Sequence, residues 1–529
     1  MQASTKNKIL RFFLYSICLL SLFLSFGILA TANAYHLLIT GNYKQSHKSA
    51  AFALPVARLT NKTWVSGLQT LIATGNTLLE LERLQQDVNT GVPPNISGLV
   101  QNLRQAEINL EHASQNIKNS SLLSLIFSDK RERIEEITNT LKHMLPLAEY
   151  FIQDEKNLLV LLQNSDELRA TGGFMGSYAV LRFDSGVLQE IVVEDIYDAD
   201  GQVLEYFEPP KGVGEFLSGG NGWRLPDANW HPDFAQSSRD TLRFFALAGH
   251  GSIDGVIAIN LPVVQSLLAI TGPILLPDQD LVLSAENISQ ALRTDRESFF
   301  AGSTAKKNTM IQAITQLKLS IAALEGRGKM QVLEQLRQQT KKGNVLVYFP
   351  NPELEKHVAQ LGISGSLGPS NIDAHSLYYY PVESNVGINK VNAFVMREYV
   401  MTTADTITEL GITLHNTSSQ DGYVNYQRLL FAPGQRVEEI VVNGEQILQF
   451  DREQVASSTG QHYDQIGFLV TTLPNNTTRV AISLSHDSGF TRVIFQKQPG
   501  TNDTTLTSIT PDTATTHQLN QSFLEYVIE

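Results

Sequence analysis

The chain has 529 residues, 42% of them hydrophobic and 18% charged, with a net charge of −13. That length exceeds one ordinary core and implies about three folded units at roughly 100–200 residues each, and the acidic balance excludes nucleic acid as the main partner. The single cysteine, Cys18, excludes an intrachain disulfide, an iron–sulfur cluster and a cysteine-based zinc site.

Lys6, Lys8 and Arg11 precede an uncharged stretch of 23 residues that begins at Phe12 and ends at Ala34. About 20 apolar residues span a bilayer as a helix. Residues 1–35 are therefore expected to form a cytoplasmic stub and a transmembrane anchor, a single pass in the cell membrane with the bulk of the chain extracytoplasmic. Ala32-Asn33-Ala34 also fits a small-x-small cleavage site, and a cleaved signal would export the same residues. Lys44, Lys48, Arg58 and Lys62 follow, and the first acid is Glu80. This segment either lies against anionic lipid or presents a solvated basic face.

Residues 36–155 read as a helical stalk or bundle. Leu68, Leu71, Ile72, Leu78, Leu79 and Leu81 recur at steps of three and four until Thr90-Gly-Val-Pro-Pro94 ends the run. A second helix is expected over 96–117. A third starts near Ser128, and Pro146 is expected to kink or end it. At residue 156 the period changes. The apolar run 157–163 reads as a buried strand, 176–183 as another, Asp184-Ser-Gly186 as a hairpin turn and 187–196 as the return strand. Helices over 237–247, 262–270, 309–336 and 352–361 then alternate with strands over 253–260 and 345–349. This pattern implies an α/β domain over 156–395, a mixed sheet flanked by helices. From 396 to 500 short strands separated by Asn, Gly, Ser and Pro predict an all-β sandwich. The Thr- and Asn-rich residues 501–529 are expected to be a flexible tail.

No nucleophile elbow, H-E-x-x-H or phosphate-binding G-x-x-x-x-G-K-[ST] motif occurs. Four other stretches carry candidate chemistry. The charged loop with Asp166 and Arg169 sits between two strands and is either a turn or a ligand loop. The acidic run at 194–201 fails the calcium-loop spacing, since Phe207 falls where the bidentate Glu belongs. Asp195, Asp198 and Asp200 remain candidates for an irregular metal site, against a solvated acidic loop. The loop at 219–234 gathers Trp223, Arg224, Asp227, Asn229, Trp230 and Asp233. It either binds a sugar or flat apolar ligand, or plugs down against its own domain. Finally Arg293, Arg296, Lys306 and Lys307 cluster at a helix start, where lysine opposes the helix dipole unless an anion is present. This is the best phosphate-site candidate, against a solvated patch.

The run Leu159-Val-Leu-Leu-Gln-Asn-Ser-Asp-Glu-Leu-Arg169-Ala-Thr-Gly-Gly-Phe-Met-Gly-Ser-Tyr178 resembles the signature of a bacterial envelope family called domain of unknown function 4012. Asp227-Ala-Asn-Trp-His-Pro-Asp-Phe234 resembles its next motif, and Asp254-Gly-Val-Ile-Ala-Ile259 with Thr271-Gly-Pro273 its third. Ser384-Asn-Val-Gly-Ile-Asn-Lys390 and Lys497-Gln-Pro-Gly500 also match. In its order of parts that family is distantly similar to the LytR-CpsA-Psr proteins, which move glycopolymers from a polyprenyl-diphosphate carrier onto the cell wall. The resemblance implies a LytR-CpsA-Psr-like fold and a role in envelope glycopolymer assembly. Asp166 and Arg169 would be the catalytic candidates, Arg169, Arg293, Arg296, Lys306 and Lys307 the phosphate contacts, and magnesium the cofactor. A polyprenyl-phosphate lipid or a cell-wall glycan would be the partner. The pattern departs where those enzymes carry an Arg-Asp pair: this chain holds only acids, from Glu194 to Asp200. The competing reading is a non-catalytic envelope scaffold, or a module binding glycan or protein.

Overall fold

The structure is a computed structural model, and it describes residues 25–38, 40–90, 96–118, 128–294, 304–369, 372, 373 and 375–528. Contacts divide it into two units, Met1–Glu155 with Phe183–Gln189, and Lys156–Arg182 with Glu190–Glu529.

The first unit is helical. A helix over 25–38, α1, is followed by α2 (Tyr43–Arg58), α3 (Lys62–Thr90), α4 (Ile96–Lys118) and α5 (Ser128–Phe151). Small residues on the inner face of α2, Ala50, Ala53 and Ala57, are fully buried with Ala34 and Leu68. Pro146 does not end α5, which continues to Phe151; one lost backbone hydrogen bond is offset by packing along the rest of the helix. The first part of the expected anchor, 12–24, lies outside the described residues. Among the described residues no helix is long and apolar enough to cross a membrane.

The second unit begins where the apolar period shortens. Strands β1 (Lys156–Asn164), β2 (Phe174–Asp184), β3 (Val187–Asp195), β4 (Gly255–Asn260) and β7 (Val345–Tyr348) form a sheet in the order β3-β2-β1-β4-β7. β1 and β4 are parallel and β4 and β7 antiparallel, so the sheet is mixed as expected. The turn between β2 and β3 has positive φ at Ser185 and Gly186, the mark of a tight hairpin. Short helices α6 (Ile196–Asp200) and α7 (Val213–Phe216) follow β3, and α8 (Phe234–Leu247) precedes β4. After β4 come α9 (Leu261–Thr271), the hairpin β5 (Ile274–Leu276) and β6 (Leu281–Leu283), α10 (Ile288–Thr294), α11 (Thr304–Ala323) and α12 (Gly326–Lys341). α13 (Pro352–Gln360) follows β7.

The β-sandwich is larger than the sequence suggests. It starts at β8 (Ser376–Asn385), not at 396, because this Tyr-rich strand is buried along its whole length. β9 (Val395–Thr403), β10 (Ile407–Asn416), β11 (Tyr423–Phe431), β12 (Arg436–Val442), β13 (Glu445–Gln446), β14 (Asp451–Ala456), β15 (His462–Thr472), β16 (Asn476–Ser485) and β17 (Arg492–Gln496) follow. The expected flexible tail, 501–529, instead forms β18 (Thr504–Ile509), β19 (Ala514–Leu519) and β20 (Phe523–Val527). β18 runs parallel to β9, and β20 pairs with β17. Threonine suits strands as well as mobile segments, and the pairing decides between them. One sheet is ordered β13-β12-β16-β10-β9-β18-β19 and the other β14-β15-β11-β8-β17-β20. Leu377, Tyr379, Met401, Leu414, Ile466, Ile482 and Phe495 are among the side chains between them.

The sandwich meets the α/β sheet at the loop between β1 and β2. The Gln498 amide donates to the carbonyls of Arg169 and Glu383, at 2.9 and 2.7 Å. Gly172 and Gly500 pack backbone to backbone, with φ of +125° and +75°. A β-carbon on Gly500 would fall inside the Gly172 carbonyl, and any L residue there would be strained. Gly500→Ala is expected to destabilise the chain by about 2–5 kcal/mol, strain and overpacking together, seen as a lower denaturant midpoint. Gly249→Ala, where nothing lies within 4 Å of the added carbon, is the control for backbone strain alone.

Candidate functional site

The β1–β2 loop buries its charges. Arg169 is 1% exposed. Its Nε donates to Asp227 Oδ1 at 3.1 Å and Nη2 to Glu167 Oε1 at 3.2 Å. Nη1 donates to the carbonyls of Asn385, at 2.8 Å, and Leu168, at 3.2 Å. Burial works against the guanidinium, but Asp227 and Glu167 outweigh it and hold its pKa above the ordinary range. A buried cation needs such partners. Arg169 thus pairs internally with two acids, and the partner is Glu167, not Asp166. The Asp166 carboxylate accepts a hydrogen bond from the Ser289 hydroxyl on α10, and Asn164 Oδ1 accepts from the Asp166 N–H.

The acidic run after β3 is also committed to structure. Asp195 caps α6 by accepting from Tyr197 N–H at 3.0 Å. Asp200 takes Arg224 Nε and Nη2 on Oδ2, at 3.1 and 3.0 Å, and the Leu225 N–H on Oδ1 at 2.9 Å. Asp198 is exposed. Among the described residues no group of three His, Cys, Asp or Glu side chains converges on a metal-sized site. The expected magnesium site at Asp195, Asp198 and Asp200 is therefore not assembled. Asp195 and Asp200 point to their own partners and Asp198 to solvent, so the three do not converge on an ion.

The tryptophan loop is a plug. Trp230 is 4% exposed, stacks on Tyr426 with ring centroids 5.8 Å apart and lies under Arg428 at 4.6 Å. Arg428 has its pKa lowered to about 10 by burial. The half-buried Trp223 donates Nε1–H to the Asp227 carbonyl and meets Phe244 edge-on. Asn229 Nδ2 donates to Thr171 Oγ1 and the Gly173 carbonyl. Asp233 caps α8 and accepts from Leu367 N–H and from the Ser458 N–H and hydroxyl. This motif clamps the β1–β2 loop below and the sandwich beside it.

Above these clamps the domain is hollow. A cavity of about 580 Å³ opens among β1, β2, β4, α9 and α11. Its deep wall is aliphatic: Leu261, Val264, Leu268, Ile274, Leu283, Ile288, Met310, Ala313, Ile314 and Leu317. Its other end is polar, lined by Glu167, Arg169, Asp195, Asp200, Arg224, Asp227 and Lys390. Tyr197 stands at this end with its pKa pushed up to about 12 by burial and by Glu167 and Asp227. It stays a neutral hydroxyl donor at physiological pH. The structure thus brings Arg169, Arg224, Asp195, Asp200 and Asp227 to one cavity, and leaves Asp166, Asp198, Trp223, Asn229, Trp230 and Asp233 outside its lining. Arg296 lies outside the described residues. Arg293, Lys306 and Lys307 fall within α10 and α11, whose backbones are described there and whose side chains at these positions are not. The aliphatic wall went unread in the sequence. Its one signal was α9, whose residues are apolar on nearly all faces.

Fold and cavity together define an α/β domain with helices on both faces of its sheet, joined to a β-sandwich, and a chamber with an aliphatic wall and a polar end that carries ion pairs. Residues 153–296 match the family described as "Protein of unknown function (DUF4012)". No curated protein sequence matches the chain significantly. Three solved structures are similar in part. A Legionella pneumophila protein described as nutrient-binding shares 13% identity over 22% of this chain and 50% of its own, at a TM-score of 0.18. The Lin1025 protein of Listeria innocua shares 12% over 40% and 79%, at 0.23. TagV of B. subtilis shares 14% over 42% and 89%, also at 0.23. The chain thus spans half the length of the first, and no common fold follows from scores of this size.

Two expectations follow. Arg169→Met leaves Glu167 and Asp227 without their buried cation and is expected to cost about 3–5 kcal/mol, read by chemical denaturation at pH 7. His231 has its pKa lowered to about 4, chiefly by burial, and its Nδ1 accepts the Asp233 N–H as a neutral ring does. The unfolded chain takes up that proton near pH 6.5 and the folded chain does not. Stability is therefore full above 6.5 and falls as pH drops toward 4, by on the order of 3 kcal/mol. His231→Gln should flatten that segment of the pH–stability curve.

Proposed function

We propose that this is a cell-envelope protein whose α/β domain takes the hydrocarbon tail of a polyprenyl-phosphate carrier into the cavity and leaves the phosphate-bearing head at the polar end. The observation that carries this reading is the aliphatic chamber itself. Protein interiors are close-packed, and an apolar void of this size forfeits packing unless something fills it. A volume of 580 Å³ holds on the order of 20 carbon-sized groups at about 30 Å³ each, and each methylene moved out of water contributes about 0.8 kcal/mol. A sugar or peptide ligand would leave the aliphatic wall unmatched.

The order of motifs shared with the LytR-CpsA-Psr proteins supports the same class of ligand and an extracytoplasmic site of action, with the stretch from Phe12 to Ala34 as anchor. It also suggests glycopolymer transfer from the diphosphate carrier as the reaction. Arg169 and Arg224 are less suited to that step, because each is already neutralised by carboxylates. The cations left for a diphosphate are those the sequence places on α10, α11 and the link between them: Arg293, Arg296, Lys306 and Lys307. The committed arginines favour a second reading, in which the domain holds the lipid-linked precursor as a scaffold without reacting it. The buried Trp230 offers no face to a sugar, which leaves only the half-buried Trp223 to support a sugar-binding tryptophan loop.

A fluorescent C15 isoprenyl phosphate should bind the full chain in detergent. Ala313→Trp, which fills the aliphatic end, should weaken binding at least tenfold with little change in melting temperature. Undiminished binding by that variant would sink the lipid reading. Loss of binding in Lys306→Ala/Lys307→Ala, with the tail contacts intact, would assign the head to the start of α11.

A further inference from the structure

Four of the cations ahead of Glu80, Lys44, Lys48, Arg58 and Lys62, lie on α2 and the start of α3. The net charge of −13 is the balance of +7 before Glu80 and −20 from Glu80 onward. At 100° per residue, Lys44, Lys48, Phe52, Pro55 and Leu59 fall within about 80° of arc along α2 and its C-cap. All five are exposed, with Phe52 at 65% and Leu59 at 77%. The opposite face, Ser46, Ala50, Ala53, Val56 and Ala57, is the buried one. The outward stripe of α2 therefore mixes lysines with large apolar side chains and has no acid. Lysines interleaved with an exposed Phe and Leu are the mixture an interfacial helix uses. Beside the stripe, where α2 ends and α3 begins, a cleft of about 460 Å³ is lined by Arg58, Lys62, Val65, Ser66, His112 and Gln115. Two cations, an imidazole and two neutral polar side chains, without a carboxylate among them, suit a phosphate oxyanion.

We propose that this face of α2 docks on an anionic bilayer surface, with Lys44, Lys48, Phe52 and Leu59 in the interface and a phospholipid headgroup phosphate in the Arg58–Lys62–His112 cleft. Charge complementarity selects the occupant. A basic, acid-free surface on a chain otherwise at −20 is drawn to anionic lipid, while the remainder is repelled from it. The docking is separate from tail binding in the cavity and stands or falls independently of it.

The test uses the full chain, carrying Cys18→Ser and a nitroxide at Gln45→Cys, reconstituted in lipid nanodiscs. With phosphatidylglycerol present the label should become shielded from a water-soluble relaxation agent. In phosphatidylcholine alone, or in 0.5 M salt at a Debye length of about 4 Å, it should be exposed. Arg58→Glu/Lys62→Glu should weaken the shielding transition at least about 25-fold in anionic-lipid concentration, at about fivefold per cation removed. Equal exposure in both lipids overturns the proposal. Shielding by glycerol phosphate in detergent would reassign the cleft to a free phosphate ester, and shielding that needs no lipid would reassign the face to a protein partner; both overturn it. Should the double variant misfold, the salt and lipid dependence of the parent chain decides. Isoprenyl phosphate binding in detergent is expected to be unchanged by Arg58→Glu/Lys62→Glu, so failure here leaves the cavity reading untouched.

Discussion

The charge on Arg169 is the constraint around which the second unit is organised. A guanidinium at 1% exposure is tolerable only with its donors satisfied. Its partners come from three places: the loop itself, the turn before Trp230 and the end of β8. Each partner lies on an element that would otherwise move independently. Meeting the requirement of one side chain therefore fixes the α/β sheet, the tryptophan turn and the sandwich in a single arrangement. Gln498, with the Gly172–Gly500 contact, fastens the same loop from its other side.

The same arithmetic shapes the polar end of the cavity. Glu167, Asp195, Asp200 and Asp227 face Arg169, Arg224 and Lys390 there, so acids outnumber bases by one. A diphosphate meets little net attraction at this end, whereas a tail meets a wall of aliphatic side chains. On the proposed lipid reading, the hydrophobic contribution would decide what enters and the charges how far it goes. Tyr197, held neutral by burial and by its acidic neighbours, is a donor that an anionic oxygen can use without a charge being displaced.

Much of the architecture was legible in the sequence because it is written in period and punctuation. The shift at residue 156 and the Asp184-Ser-Gly186 turn both fall where the elements change. β8 was not legible. All ten of its residues are buried, so it shows no alternation, and a strand covered on both faces lacks the signal that marks an edge or a half-exposed strand. The tail 501–529 was misread because composition reports what a segment resembles alone, whereas β18 is held by a parallel neighbour over a hundred residues earlier. At the site, sequence placed Arg169 in a loop between strands but not its distant partners Asp227 and Asn385, which lie 58 and 216 residues away in the chain. Spacing cannot report such pairs.

A cavity is the hardest feature to read from a sequence, since it consists of atoms that are not there. Leu268, Ile314 and Leu317 have the composition of a filled core, and the same letters could have closed the middle. α9 and α11 do touch, and Leu268 and Leu317 belong to one apolar cluster with the β5–β6 hairpin, so the chamber opens between that cluster and the strands β1 and β4. α9 leaves the sheet directly from β4, while α11 packs against the β5–β6 hairpin. Leu276 is buried in one cluster with Leu261 and Leu283, and Ile274 and Leu283 of the same hairpin line the chamber. Interior voids in natural proteins are few. One that is lined from several elements, the hairpin among them, is a built chamber, so the elements around it are best understood as walls rather than as an imperfect core.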